Sequence, residues 1–280
     1  MASAIRSETD GAVRLLVLAR AEAYNTITHE LRDEMNAALD EAERDDSVRV
    51  VLLRAEGRAF CAGYGLDWSA EPQADETSWD SNADLISVSP FALTWYRLHT
   101  LSKPTVAAVQ GWCVGGGCDM VLNADLILAG EAATFGYPPS RVWGVPHAPW
   151  TWVARLGLQR AKRHLLTGDE ISGAEAARIG LALECVPDGE LEERARALAQ
   201  RIAMLSLNQL QMVKRVLNDS ARRMYDPEQS IELGVLYDGI ARHTPEGIDF
   251  VRRAKEAGFR QAVRERDDPF GDYGSRPRGE

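Results

Sequence analysis

No run of about eighteen apolar residues occurs in this 280-residue chain, so nothing in it reads as a helix that crosses a bilayer. Residues 1–10 lack the charged-then-apolar pattern of a secretion signal, and a cytoplasmic location is the resulting expectation. Cysteine is scarce. Cys61, Cys113, Cys118 and Cys185 form no Cys-x-x-Cys pair and stand near no histidine pattern for zinc, which leaves reduced thiols as the default. Cys61 and Cys118 read as small packing residues rather than nucleophiles. Basic charge is in deficit, 32 Lys and Arg against 42 Asp and Glu for a net charge of -10. Nucleic acid and anionic membrane are therefore not expected as main partners, although a local basic pocket could still hold an anionic cofactor. Two motifs are also missing. No Lys-Ser/Thr follows the main glycine cluster, which excludes a Walker phosphate loop, and no Gly-x-Ser-x-Gly elbow surrounds Ser140, so Ser140 and nearby His147 do not read as parts of a triad.

What remains is ordinary for a globular protein: 45% hydrophobic and 26% charged. Residues 11–18, 48–53 and 126–129 read as strands. Residues 28–43 read as an amphipathic helix that Thr28 could cap. Residues 69–89 are polar, carry Pro72, Ser78, Asp80 and Asn82, and read as a long surface loop, a candidate lid. A helix is expected over 90–102. Alternating strands and helices predict an α/β core over 1–190. Beyond it, helices are expected at 191–205, 206–217, 227–240 and 244–258, making 191–263 a helical region. The stretch 264–280 is charged and broken by Pro269, Gly271, Gly274 and Pro277, so it is expected to be a flexible tail.

The most informative segment is Val114-Gly-Gly-Gly-Cys-Asp-Met120. A β-rich run, 104–114, leads into it, and 119–125 has helical spacing. Strand, turn and helix start follow one another there. Glycines allow a ligand to approach the backbone closely, and the first N–H groups of a helix have no partner within it, so a polarised oxygen is a natural guest. Tight packing of the helix on the strand would need the same glycines. A second segment, residues 57–67, repeats the arrangement after the strand at 48–53. Two glycine-bearing strand ends could aim two N–H donors at one oxygen.

At this point the sequence resembles the crotonase (enoyl-CoA hydratase/isomerase) superfamily along almost the whole chain. The similarity runs through Arg20-Ala-Glu-Ala-Tyr-Asn-Thr-Ile-Thr28, Ala59-Phe-Cys-Ala-Gly63, Lys103-Pro-Thr-Val-Ala-Ala-Val-Gln-Gly111, the Gly-Gly-Gly-Cys-Asp stretch, Ala133-Thr-Phe-Gly136, residues 166–172 and residues 174–181. The resemblance implies an α/β spiral of β-β-α units, with the C-terminal helices packing on neighbouring subunits as a trimer or dimer of trimers. It implies an acyl-CoA thioester as substrate, coenzyme A entering as part of that substrate and no permanently bound cofactor. It does not select among hydration, double-bond migration and thioester or C–C hydrolysis.

Carried over by motif, the main-chain N–H groups of Tyr64 and Gly116 form an oxyanion hole. Each donor aimed at the developing charge of a thioester enolate is worth about 2.7–4 kcal/mol. Hydratases of the family place one catalytic glutamate at the end of Gly-Gly-Gly-Cys-Glu and a second after a proline in Phe-Gly-x-Pro-Glu. This chain has Asp119 at the first position and Pro139 at the second. Asp119 is then a general base or a helix-capping carboxylate. His147, in a loop from which related enzymes supply side chains, is a proton-transfer group or a loop residue bonded to backbone. Arg141 could pair with a carboxylate but reads first as a surface residue. The resemblance also places Ala23, Tyr24 and Ala62 beside the adenine of CoA, and puts Phe250 and Arg253, one helical turn apart, beside its nucleotide. A helix packing residue and a solvated cation would give the same pattern. Nominal enoyl-CoA hydration is the leading expectation. Isomerisation or hydrolysis with a single base is one alternative, and acyl-CoA binding with little catalysis is the other, because of Pro139.

Overall fold

A computed structural model describes residues 3–65 and 81–273. Apolar runs form the central strands. Strands β1 (Ile5–Asp10), β2 (Val13–Leu18) and β3 (Val50–Ala55) open the chain, separated by helix α1 (His29–Arg44). β4 (Ala59–Cys61) precedes helix α2 (Ser81–Thr100), which is followed by β5 (Thr105–Val109), β6 (Trp112–Val114), the short helix α3 (Gly116–Val121), β7 (Leu126–Gly130) and β8 (Thr134–Gly136). Helices α4 (Pro149–Leu156) and α5 (Leu158–Thr167), strand β9 (Ile171–Ser172), helix α6 (Gly173–Ile179) and strand β10 (Glu184–Val186) complete the α/β part.

The strands make two sheets, a six-stranded one ordered β1-β2-β3-β5-β7-β10 and a four-stranded one ordered β4-β6-β8-β9. Only the edge pairs β1–β2 and β8–β9 are antiparallel. Alternation along β2 divides the core. Val13, Leu15 and Val17 face Leu191, Ala195 and Ala199, whereas Leu16 and Leu18 join the larger cluster with Leu31, Met35, Phe60, Trp95 and Phe135. Each central strand is thus covered on both faces, as parallel sheets require. Thr28 caps α1, its Oγ1 accepting from the Leu31 N–H at 3.2 Å.

The run read as one strand over 104–114 is two strands in two sheets. Gly111 makes the corner at φ +55°, where an added Cβ would lie 1.9 Å from the Arg58 carbonyl oxygen. A further difference concerns the expected lid at 69–89. Its first part lies outside the described residues, but residues 81–89 are helical and extend α2 two turns ahead of Pro90.

After β10 the chain is helical: α7 (Leu191–Ala203), α8 (Leu207–Tyr225), α9 (Pro227–Arg242), α10 (Pro245–Ala257) and α11 (Phe259–Asp267). Ser206, Asp226 and Thr244 cap α8, α9 and α10. α8 runs on past residue 217 to Tyr225. α9 turns back onto the α/β part, where Ile231 and Val235 pack with Val88, Ala92, Ala148 and Trp150. Gly234 permits this contact, because a Cβ there would stand 2.5 Å from the Pro146 carbonyl oxygen.

Residues 264–273 do not trail away as the composition suggested; they finish α11, make a 3-10 turn and dock. The anchor is Arg141, which is buried, not on the surface. Its guanidinium pairs with Asp267 at 3.0 Å and Asp272 at 2.7 Å, beneath the rings of Phe270 and Tyr273. No helix among the described residues is long and apolar enough to cross a membrane.

Candidate active site

The two glycine segments run side by side. A Cβ added to Gly63 would stand 3.2 Å from the Val114 carbonyl oxygen and 3.6 Å from the Gly116 nitrogen. Ile27 bonds to both neighbours of Tyr64: its N–H donates to the Gly63 carbonyl at 2.8 Å, and its carbonyl accepts from the Gly65 N–H at 3.1 Å. In an extended segment this turns the Tyr64 N–H to the opposite side. Gly116 is the first residue of α3, so its N–H has no acceptor within the helix. Only glycine fits there, since a Cβ would lie 2.5 Å from Tyr64 Cε2 and 2.8 Å from Ile27 Cδ1. Gly115 supplies the turn at φ +54° and packs on Pro139, whose Cγ a Gly115 Cβ would meet at 3.5 Å. An aliphatic ring, that of Pro139, therefore lies adjacent to the glycine turn.

Asp119, one turn into α3, is buried. Its Oδ1 accepts from the His147 backbone N–H at 3.0 Å, and its Oδ2 accepts from the Tyr137 hydroxyl at 3.2 Å. Burial, followed by the charge of Asp238, outweighs His147 and these donors and pushes the carboxyl up from its ordinary value to about 6.

His147 is equally buried and lies between two carboxylates. Nδ1 is 3.8 Å from Asp119 Oδ2 and 2.9 Å from Tyr64 Oη, and Nε2 is 3.2 Å from Asp238 Oδ2. Burial alone would lower its pKa, but Asp238 and Asp119 together raise it above the usual imidazole value. Asp238 itself is held down at about 2 despite burial, by Arg242 first and His147 second. Arg242 reaches Asp238 Oδ2 through Nε at 2.9 Å and a terminal nitrogen at 2.7 Å, and the Val145 N–H donates to Oδ1 at 3.0 Å. Tyr64 Oη also accepts from Trp95 Nε1 at 3.2 Å. Burial, with the charge of Asp119 adding to it, keeps the Tyr64 phenol protonated far above neutrality.

The structure thus brings Tyr64, Gly116, Asp119 and His147 into one cluster and adds Tyr137, Trp95, Asp238 and Arg242. Sequence reasoning gave none of these four a place in the site. For Asp238 and Arg242 the signal available was an acid–base pair one turn apart over 238–242, a spacing that reads equally well as a surface ion pair.

The residues expected around CoA fall in two groups. Ala23, Tyr24 and Ala62 are joined by a bond from the Ala62 N–H to the Tyr24 carbonyl at 3.1 Å, and the exposed Arg58 guanidinium lies 4.5 Å from the Tyr24 ring centroid and bonds its hydroxyl. Asn25 holds this corner, its side-chain amide donating to the carbonyls of Glu56 and Ala59 at 2.9 Å each. The second group is on α10. Phe250 is buried edge-on against Phe259 with Arg266 over it, and Arg253 is exposed in a two-bond pair with Glu265 at 2.8 and 2.7 Å. Cys61 and Cys118 are buried, and burial pushes the Cys61 thiol up to about 12, which removes it as a nucleophile.

A family model described as enoyl-CoA hydratase/isomerase matches residues 8–260. Among solved structures, an enoyl-CoA hydratase from Mycobacterium smegmatis superposes with a TM-score of 0.92 and 40% identity, covering 99% of this chain and 97% of that one. A probable enoyl-CoA hydratase of Mycobacterium bovis is 30% identical over 239 residues, 85% of this chain and 87% of that protein. The 1,2-epoxyphenylacetyl-CoA isomerase of Escherichia coli K12 is 29% identical over 231 residues, 81% of this chain and 87% of that protein. With the paired glycine turns, the two-sheet spiral and a match spanning nearly its whole length, the chain belongs to the enoyl-CoA hydratase/isomerase family and carries the crotonase fold.

Proposed function

We propose that this enzyme forms the enolate of an acyl-CoA thioester and moves a carbon–carbon double bond along the acyl chain, with hydration a minor reaction. The observation that carries this reading is that, among the described residues, Asp119 is the carboxylate beside the glycine turn and Pro139 its other neighbour. Asp119 has a carboxyl pushed to about 6, and Pro139 occupies the second position. A positioned acid or base contributes about 10²–10⁴ in rate, and proline supplies none of it.

The chemistry follows from the groups present. The thioester carbonyl sits between the Tyr64 and Gly116 N–H groups. Asp119 takes a proton from the carbon next to the carbonyl, the freed electron pair spreads over the carbonyl oxygen and the existing double bond, and a proton is delivered to the far end of that system. A base with a pKa near 6 is ionised at neutral pH and strong enough to share a proton with an acidified C–H. Ala23, Tyr24 and Ala62 line the adenine site, and Arg58 stands where a CoA phosphate can be met. Phe250 and Arg253 contribute only if Arg253 exchanges Glu265 for phosphate.

The test is a panel of 2-enoyl-, 3-enoyl-, aryl- and β-keto-acyl-CoA thioesters followed by mass spectrometry and absorbance. Unchanged mass with gain of conjugated absorbance from 3-enoyl-CoA is the expected result. Gain of one water marks hydration, and free CoA marks hydrolysis. Crotonyl-CoA hydration is expected to be at least about a hundredfold slower than a two-carboxylate site achieves. Fast hydration that Asp119→Asn leaves undiminished would sink the proposal. Binding of the panel without turnover would leave only the acyl-CoA-binding reading.

A further inference from the structure

Tyr64 was singled out for its backbone, yet its side chain is the group that the buried charges converge on. The ring lies directly against Gly116. The hydroxyl oxygen takes the Trp95 indole N–H at 3.2 Å and lies 2.9 Å from His147 Nδ1. The other imidazole nitrogen faces Asp238 Oδ2 at 3.2 Å. An ionised carboxylate only accepts, so Nε2 carries a hydrogen in both states of the ring. The state of Nδ1 then decides what the phenol does. With neutral His147, Nδ1 accepts and the Tyr64 O–H is given to it. With charged His147, the phenol oxygen accepts from both His147 and Trp95, and its own hydrogen must go to a third acceptor.

We propose that the Tyr64 phenol is the second proton-transfer group of this site, supplying the proton that Asp119 does not return itself, and that Asp238, held in turn by Arg242, is a positioning residue that fixes His147 behind it. This rests on the thioester-enolate reading above. The step closes on itself. Asp119 takes the α-proton; the Tyr64 O–H gives its proton to the far carbon of the dienolate, restoring the carbonyl. The phenolate takes the Nδ1 proton of His147, and the imidazole is recharged from Asp119 Oδ2, 3.8 Å from Nδ1. One proton has moved along the acyl chain, and no oxidant or further reactant is consumed.

The charge environment agrees with the direction of transfer. His147 faces Asp119 from α3, Tyr64 from the turn after β4, and Asp238 backed by Arg242 from α9, with Tyr137 bonded to the far side of Asp119; α2 contributes the neutral Trp95. The two carboxylates favour a charged ring and outweigh both burial and the opposing charge of the Arg242 guanidinium.

The experiment separates proton removal from proton delivery. Exchange of the α-hydrogens of butyryl-CoA in D2O needs only Asp119 and the two N–H groups, whereas isomerisation of 3-enoyl-CoA needs delivery as well. In Tyr64→Phe, which keeps the ring against Gly116, the ratio of isomerisation to exchange should fall about a hundredfold. An unchanged ratio, whether both rates persist or both fall together, overturns the proposal. In Asp238→Asn the imidazolium loses its closest anion, so the loss of isomerisation on raising pH should begin at lower pH than in the parent protein. A limb that does not move overturns the part assigned to His147. A parent protein that neither exchanges nor isomerises any thioester is a different result, and it removes the enolate reading itself.

Discussion

Replacing Asp119 by Asn should abolish turnover and, above neutrality, make the protein more stable. The folded-state pKa of Asp119 is about 6 against an ordinary value of 3.8. A carboxyl raised in this way contributes its stability fully below the unfolded value, and that contribution is lost as pH rises through 6. Roughly two units at about 1.36 kcal/mol each make the ionised form cost roughly 3 kcal/mol. Asparagine removes this cost while keeping the shape. Its carbonyl can accept from the His147 N–H, and its amide can donate to Tyr137 Oη, whose own hydrogen then goes to the Val145 carbonyl at 3.0 Å. Against this stands the lost attraction between Asp119 and the charged ring of His147, worth about 1 kcal/mol. The net expectation is a gain of about 1–2 kcal/mol at pH 7.5 that falls by about half near pH 5 and is gone below about pH 4. Urea denaturation of both proteins at fixed concentration across that range measures the difference curve. A pH-independent difference, or a variant that is weaker at pH 7.5 than at pH 5 relative to the parent, would refute the claim that Asp119 is a strained, proton-holding carboxylate.

Three further outcomes follow from other parts of the molecule. Arg141→Met takes the buried cation from Asp272 and leaves Asp267 to Arg266, which should cost about 3 kcal/mol and let a protease clip the C-terminal segment before the core; unaltered clipping would show that the segment docks without it. Gly116→Ala puts a methyl 2.5 Å from the Tyr64 ring and should lower both α-hydrogen exchange and isomerisation at least about a hundredfold with an unchanged far-ultraviolet spectrum, whereas wild-type exchange would detach the Gly116 amide from the chemistry. The exposed Met212, Val213, Val216 and Leu217 form one apolar stripe on α8, so sedimentation should find trimers or dimers of trimers, dispersed by Val216→Glu; a parent protein that is monomeric at micromolar concentration would count against this.

The elements that sequence reasoning placed are those whose cause is local. Val13 to Leu18 alternate between two buried faces, Thr28 caps the helix it precedes, and the triple glycine marks a strand-to-helix turn; each depends on neighbours a few residues away. What escaped depends on distant partners. Arg141 looks like any loop arginine until Asp267, 126 residues later, arrives beside it. Asp238 and Arg242 have the spacing of a solvent-facing pair, and only the approach of α9 through Gly234 shows that they are buried behind His147. The helical start at Ser81 was hidden by its polar residues and by Pro90, which reads as a first-turn residue but lies within the helix. Tyr64 was assigned through its backbone alone, because a motif match fixes where an N–H sits and says nothing about where a phenol points.

The docking of α9 has a consequence for how the molecule is made. A growing chain completes the ten described strands by Val186 and already contains both glycine turns, Tyr64, Asp119 and His147. Asp238 and Arg242 are added some fifty residues later, and the tail that closes over Arg141 later still. Vectorial synthesis therefore delivers the two glycine turns and His147 well before the Asp238–Arg242 pair that packs behind that imidazole. On the function proposed above, a chain that ends before α9 has the residues assigned to holding the thioester but not the Asp238–Arg242 pair behind His147.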